Sequence, residues 1–168
     1  MRTARSGRPA LRLVTPLEYE APAPLVSFCS HCGTRPASPP AGGSNSRVCV
    51  SCGLGLILES RADVAPSSGD AFLVLDRTLA VCAVSDAAER LLAADEPDVV
   101  NRHISTLLMP AHAEERDSAS LSAAVTWAAR GDRGFRSVTV RPANTFGIRL
   151  TARIASCGPP RAALLVLE

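Results

Sequence analysis

The sequence contains no lysine: all 18 of its basic residues are arginine. Arginine alone, in a chain rich in Ala, Gly and Pro, points to the bias of a GC-rich, bacterial genome, so arginine clusters are discounted as signs of nucleic-acid binding. Aromatic residues make up only 4% of the chain. The core must therefore be built from Leu, Val, Ile and Ala. No apolar run approaches the roughly 20 residues needed to span a bilayer. No continuous apolar stretch follows the N-terminal arginines, so no signal peptide is expected. The expected compartment is then the reducing cytoplasm, where paired cysteines serve as metal ligands more often than as disulfides. The formal net charge of +2 is too small to select a charged partner.

What is present fits a folded chain: 168 residues, 46% hydrophobic and 20% charged, enough for a small domain plus a medium one. Residues 1–24 mix Arg2, Arg5, Arg8 and Arg12 with Pro, Ser and Gly and predict a flexible basic arm. Residues 25–59 hold two cysteine pairs separated by a loop rich in Gly, Pro and Ser. Residues 60–69, with Asp63, Pro66, Ser67, Ser68 and Gly69, read as a linker. Residues 70–168 alternate apolar runs with turn signals over the length of an ordinary domain.

The first pair reads Phe28-Cys29-Ser30-His31-Cys32-Gly33 and the second Val48-Cys49-Val50-Ser51-Cys52-Gly53. Two residues between cysteines let one tight turn aim both sulfurs at a single point. The glycine after each pair permits φ > 0, which turns backbone N–H groups toward the thiolates. Sixteen residues separate the pairs, a usual spacing for a four-cysteine metal site. Zinc accepts four sulfurs at about 2.3 Å each, and iron also suits four thiolates. Cys29, Cys32, Cys49 and Cys52 are the expected ligands. His31, inside the first knuckle, is expected to be exposed. Two redox-active Cys-x-x-Cys motifs are the competing reading, but neither pair sits at a helix start after a buried strand.

The repeated Cys-x-x-Cys-Gly resembles the zinc-ribbon family with rubredoxin-like knuckles, over about residues 25–59. Four cysteines close the coordination shell, whereas a catalytic zinc keeps a position open. The expected role is structural, because so short a segment cannot bury enough apolar surface alone.

In the second block, residues 71–75 and 79–84 read as a hairpin around Asp76-Arg77-Thr78. Ser85 or Asp86 is placed to cap a helix carrying Ala88, Leu91 and Leu92, with Glu89 three residues after Asp86 as in a capping box. A second short helical piece with Ile104, Leu107 and Leu108 is expected to end at Pro110, and a longer one to span about 118–130. Strands follow at 135–140 and 146–154, the latter with Phe146, Ile148, Leu150, Ala152 and Ile154 on one face. Residues 162–167 are nearly all apolar, as in a central strand. The fold class is therefore α+β.

This order, with Phe72-Leu-Val-Leu-Asp76 running into Ala83-Val-Ser-Asp-Ala-Ala-Glu-Arg-Leu-Leu92, resembles the PAS domain. The resemblance implies a five-stranded antiparallel sheet crossed on one face by helices, and a role in sensing a small ligand, dimerising or binding a partner. The cysteine stretch of the flavin photosensors is absent, and the long helix carries no histidine for haem. His103 and His112 read as surface or capping residues, Cys82 as a buried small apolar residue, and Trp127 as core or interface. Glu114 and Glu115 suit a helix start. No catalytic grouping is suggested, so the expectation is a non-enzymatic cytoplasmic regulatory module. The alternative is a transcription-associated nucleic-acid binder using Arg35, Arg47, Arg61 and the arm.

Overall fold

The computed structural model describes residues 23–36, 47–111 and 120–168. The expected basic arm, most of the loop between the cysteine pairs, His112, Glu114 and Glu115 lie outside the described residues.

The second block forms five antiparallel strands in the spatial order β4-β3-β8-β7-β6. They are β3 (Ala71–Leu75), β4 (Val81–Val84), β6 (Phe135–Pro142), β7 (Leu150–Gly158) and β8 (Ala162–Leu167). Every residue of β8 is buried because it lies between two strands and under cover on both faces. Its period of two sends Ala163, Leu165 and Leu167 to one apolar cluster and Ala162, Leu164 and Val166 to the other. Fully burying one such Leu side chain stabilises by about 1.5–3 kcal/mol.

Helices cover the first of these faces. They are α1 (Asp86–Leu92), α2 (Glu96–Val99) and α3 (Leu121–Ala129), with a 3-10 turn at Ile104–Thr106. Their buried residues Ala88, Leu92, Val99, Ile104, Ala124 and Val125 pack with Leu73, Leu75, Ile154 and Leu165. Ser85 is the cap of α1, and its hydroxyl accepts from the Ala88 N–H at 3.2 Å. The same hydroxyl accepts from the Phe72 N–H and donates to the Asp70 carbonyl, which ties the start of β3 to α1. Glu89 does not close a capping box: its carboxylate reaches forward to the Glu96 N–H. α3 starts on Ser120, whose hydroxyl accepts from Ala123 N–H, and the chain turns away at Gly131 with φ +92°.

Two expectations shift. The helical piece expected up to Pro110 stops at Thr106, and β5 (Leu108–Pro110) pairs instead with β6. Pro110 fits there because β5 is a short edge strand that needs few ladder donors. The strand expected at 146–154 lies at Leu150–Gly158. Phe146 and Ile148 extend the apolar alternation but stand exposed beside Gly147, whose φ is +83°.

The ribbon strands are β1 (Leu25–Cys29) and β2 (Ile57–Arg61), an antiparallel pair in register from Leu25↔Arg61 to Cys29↔Ile57. They belong to the same sheet as the second block. β6 occupies the outer edge of β7 as far as Ala155, and beyond it β2 pairs Ser60↔Cys157 and Glu59↔Gly158. The ribbon and residues 60–69 therefore lie over the face that the helices leave open. Phe28, Leu58, Val64 and Ala65 bury against Phe72, Val74, Leu164 and Val166. The 59/60 boundary read from composition falls inside β2, and the Ser/Pro-rich segment after it contributes Val64 at 0% exposure to this second core.

Candidate metal centre

β1 delivers Cys29 as its last residue, and the chain turns back at once. The Gly33 N–H donates to the Cys29 carbonyl at 3.1 Å, and Gly53 N–H to the Cys49 carbonyl at 2.8 Å. Both turns need the left-handed conformation that only glycine adopts without strain: φ is +69° at Gly33 and +71° at Gly53. The knuckles are joined by Ser30, whose N–H donates to the Leu56 carbonyl and whose hydroxyl accepts from Leu56 N–H at 3.0 Å. The Cys49 N–H donates to the Gly55 carbonyl at 2.8 Å.

This frame brings all four expected sulfurs together. Cys29 Sγ lies 3.6 Å from Cys52 Sγ, and Cys32 Sγ lies 3.9 Å from Cys49 Sγ. The four sulfurs are all within 4.8 Å of one another. A regular tetrahedron with bonds of about 2.3 Å has edges of about 3.8 Å, so the donor set fits a metal ion held by four thiolates. Backbone N–H groups of His31 and Gly55 point at Cys29 Sγ (3.4 Å) and Cys52 Sγ (3.5 Å), as hydrogen bonds that favour the thiolate.

The thiols are unequal. Burial pushes Cys29 up to about 12. The Gly55 N–H, acting with Leu54 N–H, holds Cys52 down at about 6. Burial also pushes Cys49 up, but the N–H groups of Cys52 and Ser51 outweigh it and lower this thiol overall. These surroundings favour the thiolate at Cys52 and the thiol at Cys29, whose proton a bound cation would displace.

The sequence pattern singles out the glycine after each pair and passes over Gly55. A Cβ there would sit 2.4 Å from Cys29 Sγ and 2.7 Å from the His31 nitrogen. Only a glycine lets the second knuckle close over the first. Arg35 was read as a basic surface residue. It donates instead to the carbonyls of Pro66 (3.0 Å) and Ala65, fastening the ribbon to the segment after it. Gly33 backs onto the same segment, where a Cβ would meet the Ser67 carbonyl oxygen at 2.4 Å.

The remaining cysteines and the other singled-out residues stand apart from the metal centre. Cys157 is buried and pushed up to about 12 by that burial, which makes it inert. Cys82 is exposed rather than buried, and partial desolvation raises its thiol. His103 caps the 3-10 turn, its Nδ1 accepting from Ser105 N–H. Trp127 is 44% exposed, with the Arg136 guanidinium 4.2 Å from its ring centre. No described helix is long and apolar enough to cross a membrane.

No family profile matches the sequence, and no curated protein matches it. Among solved structures, the chain is similar to the crystal structure of the PAS domain of nitrogen regulation protein NR(II) from Vibrio parahaemolyticus. Identity is 20% and the TM-score 0.43, covering 60% of this chain and 88% of that one. The fold rests on the strand order and helix placement described above: a PAS-like α+β sheet that carries a ribbon-like four-cysteine site on its outer face.

Proposed function

We propose that this chain is a non-enzymatic regulatory module of the cytoplasm, in which structural zinc stabilises a ribbon built onto a PAS-like sensing or interaction domain. The observation that carries this reading is the continuity of ribbon and sheet. β2 pairs with β7, and Phe28 and Leu58 share a core with Phe72 and Leu164. A change at the ribbon therefore reaches the sheet through packed side chains and backbone ladder, and the reverse also holds. Such a unit regulates only if a ligand or partner binds two of its states with different affinity. The closed set of four sulfurs supports a structural ion over a reactive one.

The test is native mass spectrometry of freshly purified full-length protein, with metal analysis. One zinc per chain, a defined subunit count and a co-purifying ligand or partner are the expected results. Metal-dependent turnover of an ester, amide or phosphate substrate by the same preparation would refute the reading.

Nucleic-acid binding is the second reading, and the ribbon arginines weigh against it. Arg35 holds two carbonyls, Arg47 donates to the Pro159 carbonyl at 3.0 Å, and Arg61 pairs with Asp63 and donates to the Arg133 carbonyl. Within the ribbon and arm, phosphate contact would then fall to the N-terminal arginines, and it predicts affinity that drops steeply with salt.

A further inference from the structure

A cleft of about 710 Å³ opens between the ribbon knuckles and the outer face of the PAS-like sheet. This is a small-molecule volume, and it is not the helix-covered core, whose aliphatic side chains pack together on the opposite face. Its apolar surface comes from Leu54, Leu56 and Leu58 of the ribbon and from Val74, Ala83 and Ala162 of the sheet. Leu54 is 72% exposed and Leu56 46%.

Three arginines stand at one end. β3 and β8 are antiparallel with Leu75 opposite Ala163, so Arg77, two residues beyond, and Arg161, two residues before, meet at the same end of adjacent strands. Arg130 joins them from the end of α3, because the next residue, Gly131, lies beside the Arg161 guanidinium, with 3.6 Å from a Cβ there to Nε. All three line the cleft and are exposed. Among the described residues none of them forms an ion pair.

The two acids that also line the cleft are engaged elsewhere. Asp76 Oδ1 accepts from Thr78 N–H, Thr78 hydroxyl and Ala80 N–H, and Glu96 accepts from Val84 N–H. His31 also lines the cleft.

We propose that this cleft binds a small anion with an apolar body, such as a medium-chain or aryl carboxylate, sulfonate or phosphate. The anionic group lies on Arg77, Arg130 and Arg161, and the apolar part lies across the leucines and Val74. Guanidinium groups recognise such oxyanions in bidentate fashion, and the apolar floor rejects a bare inorganic ion. The proposal deepens the regulatory reading and rests on it only for the consequence of binding. Loss of cleft binding leaves partner binding by the module standing, whereas turnover would sink the regulatory reading without touching the cleft.

The test uses full-length, metal-loaded protein and 8-anilinonaphthalene-1-sulfonate as a fluorescent apolar anion. Decanoate is the competitor and decanol the uncharged control. Saturable binding at one site per chain is expected, displaced by decanoate and not by equal decanol. The double variant Arg130→Gln/Arg161→Gln should weaken binding by about tenfold or more, as loss of charge-assisted hydrogen bonds does. Arg90→Gln, on α1 and outside the cleft lining, where Arg90 pairs with Asp86, should change nothing. Cys82 locates the site: it lines the cleft and is exposed, so saturating decanoate should slow its alkylation several-fold. Metal content and melting temperature confirm that the variants fold. Absent or unsaturable binding, an unchanged affinity in the folded double variant, or unprotected Cys82 would each overturn the proposal.

Discussion

Ser60 of the ribbon and Cys157 of the PAS-like sheet are register partners, and the Ser60 hydroxyl donates to the neighbouring Ser156 carbonyl at 2.8 Å. Both residues are buried. The contact joins two segments almost a hundred residues apart in sequence, so the metal centre and the sheet cannot be treated as separate stabilities.

Metal removal should therefore loosen more than the ribbon. Stripping the ion with a strong chelator is expected to lower the melting temperature of the whole domain and to speed amide exchange in β7 and β8. Protection of those strands that is unchanged by chelation would show that the ribbon rides on the sheet without supporting it.

Gly55→Ala should impair the metal centre although it alters no ligand. The added Cβ would lie 2.4 Å from Cys29 Sγ. Loss of metal affinity by about tenfold or more is expected, the scale seen when groups around a ligand shell are disturbed. Competition against a chromophoric chelator measures it. Gly53→Ala is the comparison: a Cβ there meets nothing within 4 Å, and only the φ of +71° opposes it, so its cost should be limited to about 1 kcal/mol of backbone strain. Equal affinities in the two variants would contradict the crowding argument.

Phe28→Ala tests the shared core. Phe28 and Phe72 meet edge to face, with ring centres 5.9 Å apart, and both are fully buried. Truncation should cost about 3–5 kcal/mol by denaturant unfolding, because the cavity opens between ribbon and sheet where neither side can collapse alone. A loss below about 1 kcal/mol would mean that the two parts separate readily.

Acid should act through the β3–β4 turn. Burial pushes Asp76 up, but hydrogen bonds from Thr78 and Ala80 outweigh it and hold the carboxyl below its usual range. A depressed folded value means that the stabilisation is present above the unfolded value of about 3.9 and is lost as pH falls through the folded one. Asp76→Asn should cost about 1–2 kcal/mol near pH 7, as losing a charged acceptor of backbone N–H groups does. The deficit should shrink toward zero in strong acid. A pH-independent difference would argue against the carboxylate's role.

The metal ligands were legible in the sequence because two Cys-x-x-Cys-Gly turns are local instructions. The five strands of the second block were legible one by one, since β8 and β3 are apolar at every position, whereas β5 was hidden inside an expected helix. What was not legible is where the ribbon sits. Val64 and Ala65 lie among Pro, Ser and Asp, and composition marks such a stretch as a tether. Only the open face of the sheet, contributed by Phe72 and Val74 of β3 and by Leu164 of the far-off β8, gives those two residues something to cover. Cys82 was misplaced for a related reason: an apolar run says that a strand exists, not which of its alternating positions meets the core. The start of β7 shifted because Phe146 and Ile148 continue its pattern in a turn.

β8 completes both layers of this protein, and it emerges during synthesis about ninety residues after its partner β3. Until then a nascent chain holds Phe28, Leu58, Phe72 and Val74 with no central strand to cover. The cysteine knuckles and the bonds that join them lie within residues 29–56 and can capture their ion long before. Early metal capture would keep the first half of the chain from associating with its neighbours while it waits for β8. Metal shortage would then appear first as aggregation of new chains, before any loss of the protein already made.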